Sequence, residues 1–182
     1  MLERVKEAIM VHQTNQQAIR FGMAAAHLLE AILLGCTLKQ ALEKVIEKAI
    51  SGGYDDVMDA CIRALSAAKI KTIEELMQDM TNEELGGRSC HLPSAFIVPM
   101  FLFYQAVADG EAVANGEITE EAYIKALRAN ILAAGDTCSR GVFIGAVLAA
   151  AAGKVPESWT EKLNKDVLAK VDVATAGILE AV

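Results

Sequence analysis

The chain lacks an excess of positive charge. Its 182 residues carry 17 lysines and arginines against 24 acids, a net charge of −7. No basic stripe or aromatic platform interrupts that balance, so the electrostatic footprint of a nucleic-acid binder is absent. It also lacks an uninterrupted apolar segment of the ~20 residues a spanning helix needs. Gly141 to Gly153 is too short, Leu92 to Ala108 contains Pro93 and Pro99, and Ala18 to Gly35 contains Arg20, His27 and Glu30. No secretory signal is read at the N-terminus, where MLERVKEAIMVHQ is charged and amphipathic. Nor is there a C-x-x-C pair: Cys36, Cys61, Cys90 and Cys138 lie far apart. That spacing excludes a zinc site and a disulfide frame, and implies reduced thiols in a cytoplasmic protein.

What the chain does have is apolar surface. Hydrophobic residues make up 53% and mean hydropathy is +0.31, much of it alanine, which implies closely packed helices. The length suits one domain with a real core. Periodicity is helical throughout. Gln16 to Leu34 places Ile19, Met23, Ala26, Leu29 and Leu33 at three- and four-residue spacing, with Gly35 as the C-cap. TLKQALEKVIEKAI opens on Thr37 with Gln40 three residues on, a capping box, and buries Leu38, Ala41, Leu42, Val45, Ile46 and Ala49.

Asp55 to Lys69 repeats this design with Val57, Met58, Cys61, Ile62 and Leu65 inside, and Thr72 and Glu75 form a second capping box. Gly86, Gly87 and Pro93 break the pattern before an apolar helix from Ala95 to Val107 that is buried on every side. Thr119 opens a helix through Leu132, Asp136 or Thr137 the next, and Pro156 sits in the first turn of a final one. The expectation is a compact all-α domain over residues 1–182 of eight or nine helices. No strand run is evident, and no 20–50-residue period indicates a solenoid.

Three polar groups interrupt the apolar helices. In MVHQTNQQAIRFG, His12 and Asn15 precede a buried helix; Asn15 or Thr14 reads as its cap and His12 as a loop residue. In GGRSCHLPSAF, Arg88, Ser89 and His91 precede another helix, either as a plain turn or as an anion site at a helix N-terminus. In GDTCSRG, Asp136 can be an N-cap. One cap needs only one side chain, however, and Asp136, Thr137, Ser139 and Arg140 put oxygen ligands and a fixed cation at one helix mouth.

Gly135-Asp136-Thr137-Cys138-Ser139 followed by a small-residue helix and then Val155-Pro156-Glu157-Ser158-Trp159 resembles the ADP-ribosylglycohydrolase family, which includes J1 crystallin. His12, Gly35 and TLKQALEKV fit its upstream layout, so the resemblance covers nearly the whole chain. It implies an all-helical fold and, for active members, two Mg²⁺ ions on carboxylate and hydroxyl ligands that hydrolyse the bond joining ADP-ribose to a modified side chain. Hard oxygen ligands suit Mg²⁺, which can orient the ribose and activate water.

Two departures follow from the same comparison. The family's N-terminal part, with Gly-Asp-x-x-Gly and Thr-Asp-Asp, has no counterpart here; Asp55-Asp56 follows Gly53-Tyr54 without the Thr. The second Asp of the family's Gly-Asp-x-Asp-Thr is replaced by Cys138, a poor Mg²⁺ ligand, and Arg140 adds a permanent cation, as in a variant subgroup. The chain is therefore expected to be a C-terminal, metal-degenerate portion with no cofactor of its own. Asp136 is the weak metal candidate, and His12, Asn15, His91, Asp136, Thr137, Ser139 and Arg140 are the residues for a phosphate-bearing ligand. The alternatives are a split hydrolase completed by an N-terminal partner chain, a homo-oligomer or non-catalytic structural protein, and cysteine chemistry through Cys138 with His12 or His91 as base.

Overall fold

The computed structural model describes residues 2–79, 90–108, 113–114 and 117–180. Among these residues the chain is helical nearly throughout. The order is α1 (Leu2–His12), α2 (Gln16–Leu33), α3 (Leu38–Gly52), α4 (Asp55–Ala68), α5 (Ile73–Asp79), α6 (Ser94–Ala108), α7 (Glu120–Leu132), α8 (Thr137–Ala152), α9 (Glu157–Thr160) and α10 (Lys165–Glu180). A two-residue antiparallel pairing of β1 (Val113–Ala114) with β2 (Glu117–Ile118) precedes α7. The all-α class stands, with ten helices among the described residues rather than eight or nine.

The local signals explain where the helices start and stop. Thr37 and Gln40 exchange side-chain and backbone hydrogen bonds (Thr37 N–H to Gln40 Oε1 2.9 Å, Gln40 N–H to Thr37 Oγ1 3.3 Å). Thr72 and Glu75 do the same ahead of α5, so both capping boxes read in the sequence form. At the end of α2, Cys36 N–H reaches the Ala31 carbonyl and Gly35 N–H the Ile32 carbonyl. This is a Schellman ending that needs Gly35 at φ 93°.

Helix α6 is the centre of the molecule. Ile97, Val98, Met100, Phe101 and Phe103 are fully buried, and the helix packs against α3, α4, α7 and α8. Pro99 lies inside it, which leaves the Ala95 carbonyl without its usual N–H donor four residues on.

Three expectations are corrected. Helix α2 packs on α1, α3, α4 and α8, so its deepest residues are Phe21, Ala24, Leu28, Ala31 and Ile32. Ile19 of the expected stripe is buried, but Leu33 is 64% exposed. In α4 the alanines Ala60 and Ala64 sit inside with Val57 and Cys61, because α6 approaches closely there, and Ile62 is 46% exposed. Pro156 is the N-cap of the single-turn α9, and the last helix starts at Lys165.

Candidate functional site

The turn between α7 and α8 is built from two left-handed residues, Ala134 (φ 57°) and Gly135 (φ 71°). Asp136 follows at φ −78°, ψ 71°, with Thr137 N–H donating to the Gly135 carbonyl at 2.9 Å. Those angles and that bond make an inverse γ-turn, which lifts the Asp136 carboxylate over the start of α8. There its Oδ1 accepts from Ser139 N–H at 3.3 Å. The Ser139 hydroxyl and N–H, with the Arg140 charge behind them, hold the Asp136 carboxyl below the usual carboxylate range.

Arg140 turns inward. It is 2% exposed; its Nε donates to Asn130 Oδ1 at 2.9 Å and its Nη2 to the Ala134 carbonyl. Asn130, itself buried, donates through Nδ2 to the Thr137 carbonyl at 2.9 Å. The guanidinium therefore fastens the left-handed turn to α7. Among the described residues its Nη1 has no hydrogen-bond partner, and burial lowers the Arg140 pKa against the pull of Asp136. This placement leaves Arg140 no open fork for a dissolved anion, because two of its three nitrogens are committed to the turn and the third is buried.

The open space lies one turn further along. A groove of about 460 Å³ is bordered by the start of α2, the segment before α6 and Phe143 of α8. Asn15 and His91 of the expected set line it together. Asn15 caps α2, its Oδ1 accepting from Gln17 N–H at 2.8 Å and Ala18 N–H at 3.4 Å. The His91 carbonyl accepts from the Ser94 hydroxyl and Ala95 N–H, so it shapes the start of α6. The floor is aromatic: Phe21 meets Phe96 edge to face at 5.1 Å, and Phe96 lies nearly parallel to Phe143 at 6.2 Å.

His12 is the last residue of α1, in a helix where a loop was expected; it is exposed and does not line this groove. Asp136, Thr137 and Ser139 stand at the mouth of α8. Ser139 lies four residues before Phe143, on the same helical face, so the mouth of α8 adjoins the groove. Arg88 and Ser89 lie outside the described residues.

An ADP-ribosylglycohydrolase family model matches residues 1–181. The chain belongs to the ADP-ribosylglycohydrolase family. No curated protein and no solved structure matches it.

Membership raises the question of metal ions. Among the described residues no group of three or more His, Cys, Asp or Glu side chains is placed to hold one. Asp136 spends an oxygen on its helix cap, and Cys138 beside it is exposed. No helix among the described residues is long and apolar enough to cross a membrane. Two residues of this region escape a sequence reading: Asn130, a polar residue inside a helix, and Phe143, one apolar residue among many in α8.

Proposed function

We propose that this member of the ADP-ribosylglycohydrolase family binds an ADP-ribose-like, phosphate-bearing small molecule in the α2–α6–α8 groove, without metal-dependent hydrolysis by the chain alone. The observation that carries this reading is the meeting of two helix N-termini with three phenyl rings around one groove. A helix start carries roughly half a positive charge, which suits phosphate, and the half-buried Phe143 ring in the groove wall suits contact with a planar base. Asn15 and His91 supply polar groups in the lining, and Ser139 stands at the adjoining mouth of α8. Asp136 and Thr137 at the mouth of α8 complete the set, and His12 lies outside it.

Mg²⁺, which the family resemblance implies, does not fit the donors at this mouth. One carboxylate already committed to a cap, a soft thiol and a nearby guanidinium give too few hard ligands and the wrong charge. No hydrolytic step is therefore assigned to this chain. The four cysteines are free thiols, which supports the cytoplasm as its compartment.

Calorimetry with ADP-ribose, with and without Mg²⁺, tests the proposal. Binding independent of Mg²⁺ and weakened about tenfold by Phe143→Ala, or roughly 1.4 kcal/mol, is the expected outcome. Absence of binding under both conditions leaves a structural protein of the J1-crystallin kind. Release of ADP-ribose from a modified peptide by the chain alone overturns the metal-free reading.

A second reading has its own support. Leu33, Leu34, Ile131, Leu132 and Val142 are large apolar residues exposed on the surface, which suits a partner chain that covers them. If that partner supplies Gly-Asp-x-x-Gly and Thr-Asp-Asp carboxylates, the assembly is a split hydrolase, and Mg²⁺-dependent turnover appears only on mixing the two chains. Self-association in sedimentation points instead to a homo-oligomer.

A further inference from the structure

A second cleft opens on the side of α2 that carries Arg20, Met23 and His27. Those three positions are spaced i, i+3, i+7 and form one stripe. Two cavities meet along it, one of about 240 Å³ against α3 and the other of about 460 Å³ against α1. Arg20, Met23, His27 and Tyr54 line both, so the two adjoin along this face of α2. Lys48 lines the inner part and Lys6 the outer part, and Glu3 is the acid in the lining. Lys6, Lys48 and Arg20 stand against Glu3 and the Asp56 that pairs with Arg20, which leaves one positive charge in excess in a chain of net charge −7.

The cleft is held in shape before any ligand arrives. Arg20 is clamped by Asp56, Nε at 3.0 Å from Oδ1 and Nη2 at 2.6 Å from Oδ2. Asp56 is in turn fixed by Val57 N–H at 3.0 Å. Two of the guanidinium nitrogens are thus committed, and among the described residues Nη1 takes no hydrogen bond. Tyr54 is also located. Its ring lies over Gly52, where an added Cβ would come within 2.7 Å of Tyr54 Cε2, so α3 must end in a residue without a side chain for the ring to lie there. The half-exposed ring edges the cleft at its junction.

We propose that this cleft binds a phosphate monoester that carries a planar ring, with Lys48, Lys6 and Arg20 Nη1 on the phosphate and Tyr54 against the ring. The site is separate from the α2–α6–α8 groove and does not depend on the reading of that groove. Burial and, less strongly, Lys48 depress the His27 pKa against the nearby Glu30, which favours the uncharged imidazole in this wall of the cleft.

The test uses the full chain with ¹³C-methyl methionine, because Met23 lines both parts of this cleft and no methionine lines the other groove. Met23→Leu assigns the resonance. Adenosine monophosphate should shift the Met23 methyl in a saturable manner, inorganic phosphate should do so more weakly, and adenosine should not. Lys6→Glu/Lys48→Glu, two exposed positions, should keep the helical circular dichroism signal and weaken the titration at least tenfold. A Met23 signal unmoved by adenosine monophosphate overturns the proposal, as does a titration unchanged in the double variant. Binding of the nucleotide in the α2–α6–α8 groove leaves Met23 still and counts against this site alone.

Discussion

Asn130 and Arg140 clasp each other across the α7–α8 turn. The guanidinium Nε donates to Asn130 Oδ1, while Asn130 Nδ2 holds the Thr137 carbonyl at the start of α8. A cation this deep is costly unless its hydrogen bonds are made; here Nε and Nη2 make theirs and close a turn, while among the described residues Nη1 makes none. Arg140→Ala leaves Asn130 Oδ1 and the Ala134 carbonyl without donors and opens space in the core. A loss of roughly 2–4 kcal/mol is expected in urea unfolding. Asn130→Ala/Arg140→Ala should lose less than the two single variants added together, because each single variant strands the other's partner. A change below ~0.5 kcal/mol for Arg140→Ala, accompanied by weaker ADP-ribose binding, would instead make it a ligand residue.

The carboxyls of Asp56 and Asp136 both sit below their ordinary range. The hydrogen bond from Arg20 lowers the first most, and the Ser139 hydroxyl the second. For a depressed folded-state value the sign is fixed. The contribution to stability is present above the unfolded value of about 3.9 and disappears as pH falls through the lower folded value. Asp56→Asn and Asp136→Asn should each lower the melting temperature at pH 7, and the gap to the unaltered chain should close as the pH is taken down toward 2. A gap that stays constant with pH would mean that charge plays no part.

The helix ends were legible in the chain because their signals are local. Thr37 with Gln40, Thr72 with Glu75, and Gly35 each need only a few neighbouring residues to act. The buried face of α2 was not legible, since four helices surround it and a single stripe cannot describe its surroundings. At the candidate site, Asp136 was visible as a cap and Asn15 as another. Arg140 was expected as a fixed cation at the helix mouth, beside Asp136 or a bound anion; its interior place depends on Asn130, ten residues away. Phe143 carries no mark in sequence that separates it from the other apolar residues of α8.

The four thiols divide by burial. Cys90 and Cys138 are exposed, Cys36 is half-buried, and Cys61 lies in the core, where burial pushes its pKa up to about 12. Iodoacetamide at pH 8 should label Cys90 and Cys138 first and Cys36 more slowly, and should leave Cys61 unmodified until urea unfolds the chain. Peptide mass spectrometry reads this directly. Rapid labelling of Cys138 well below pH 8, at a rate far above that of Cys90, would revive a nucleophilic role for it.

The left-handed pair at the α7–α8 turn makes opposite predictions for adjacent residues. Ala134 occupies φ 57° with a side chain, and Gly135 occupies φ 71° without one. The left-handed region costs an L-residue about 1–2 kcal/mol, whereas glycine's extra freedom in the unfolded chain costs roughly 0.4–1 kcal/mol. Ala134 is exposed, so little packing is lost on trimming it. Ala134→Gly should therefore stabilise the chain by about 0.5–1 kcal/mol, and Gly135→Ala should destabilise it by at least as much. Chemical denaturation of the two variants checks both signs. A stabilising Gly135→Ala would mean that the turn does not hold this backbone in solution, and the placement of Asp136 over α8 would fall with it.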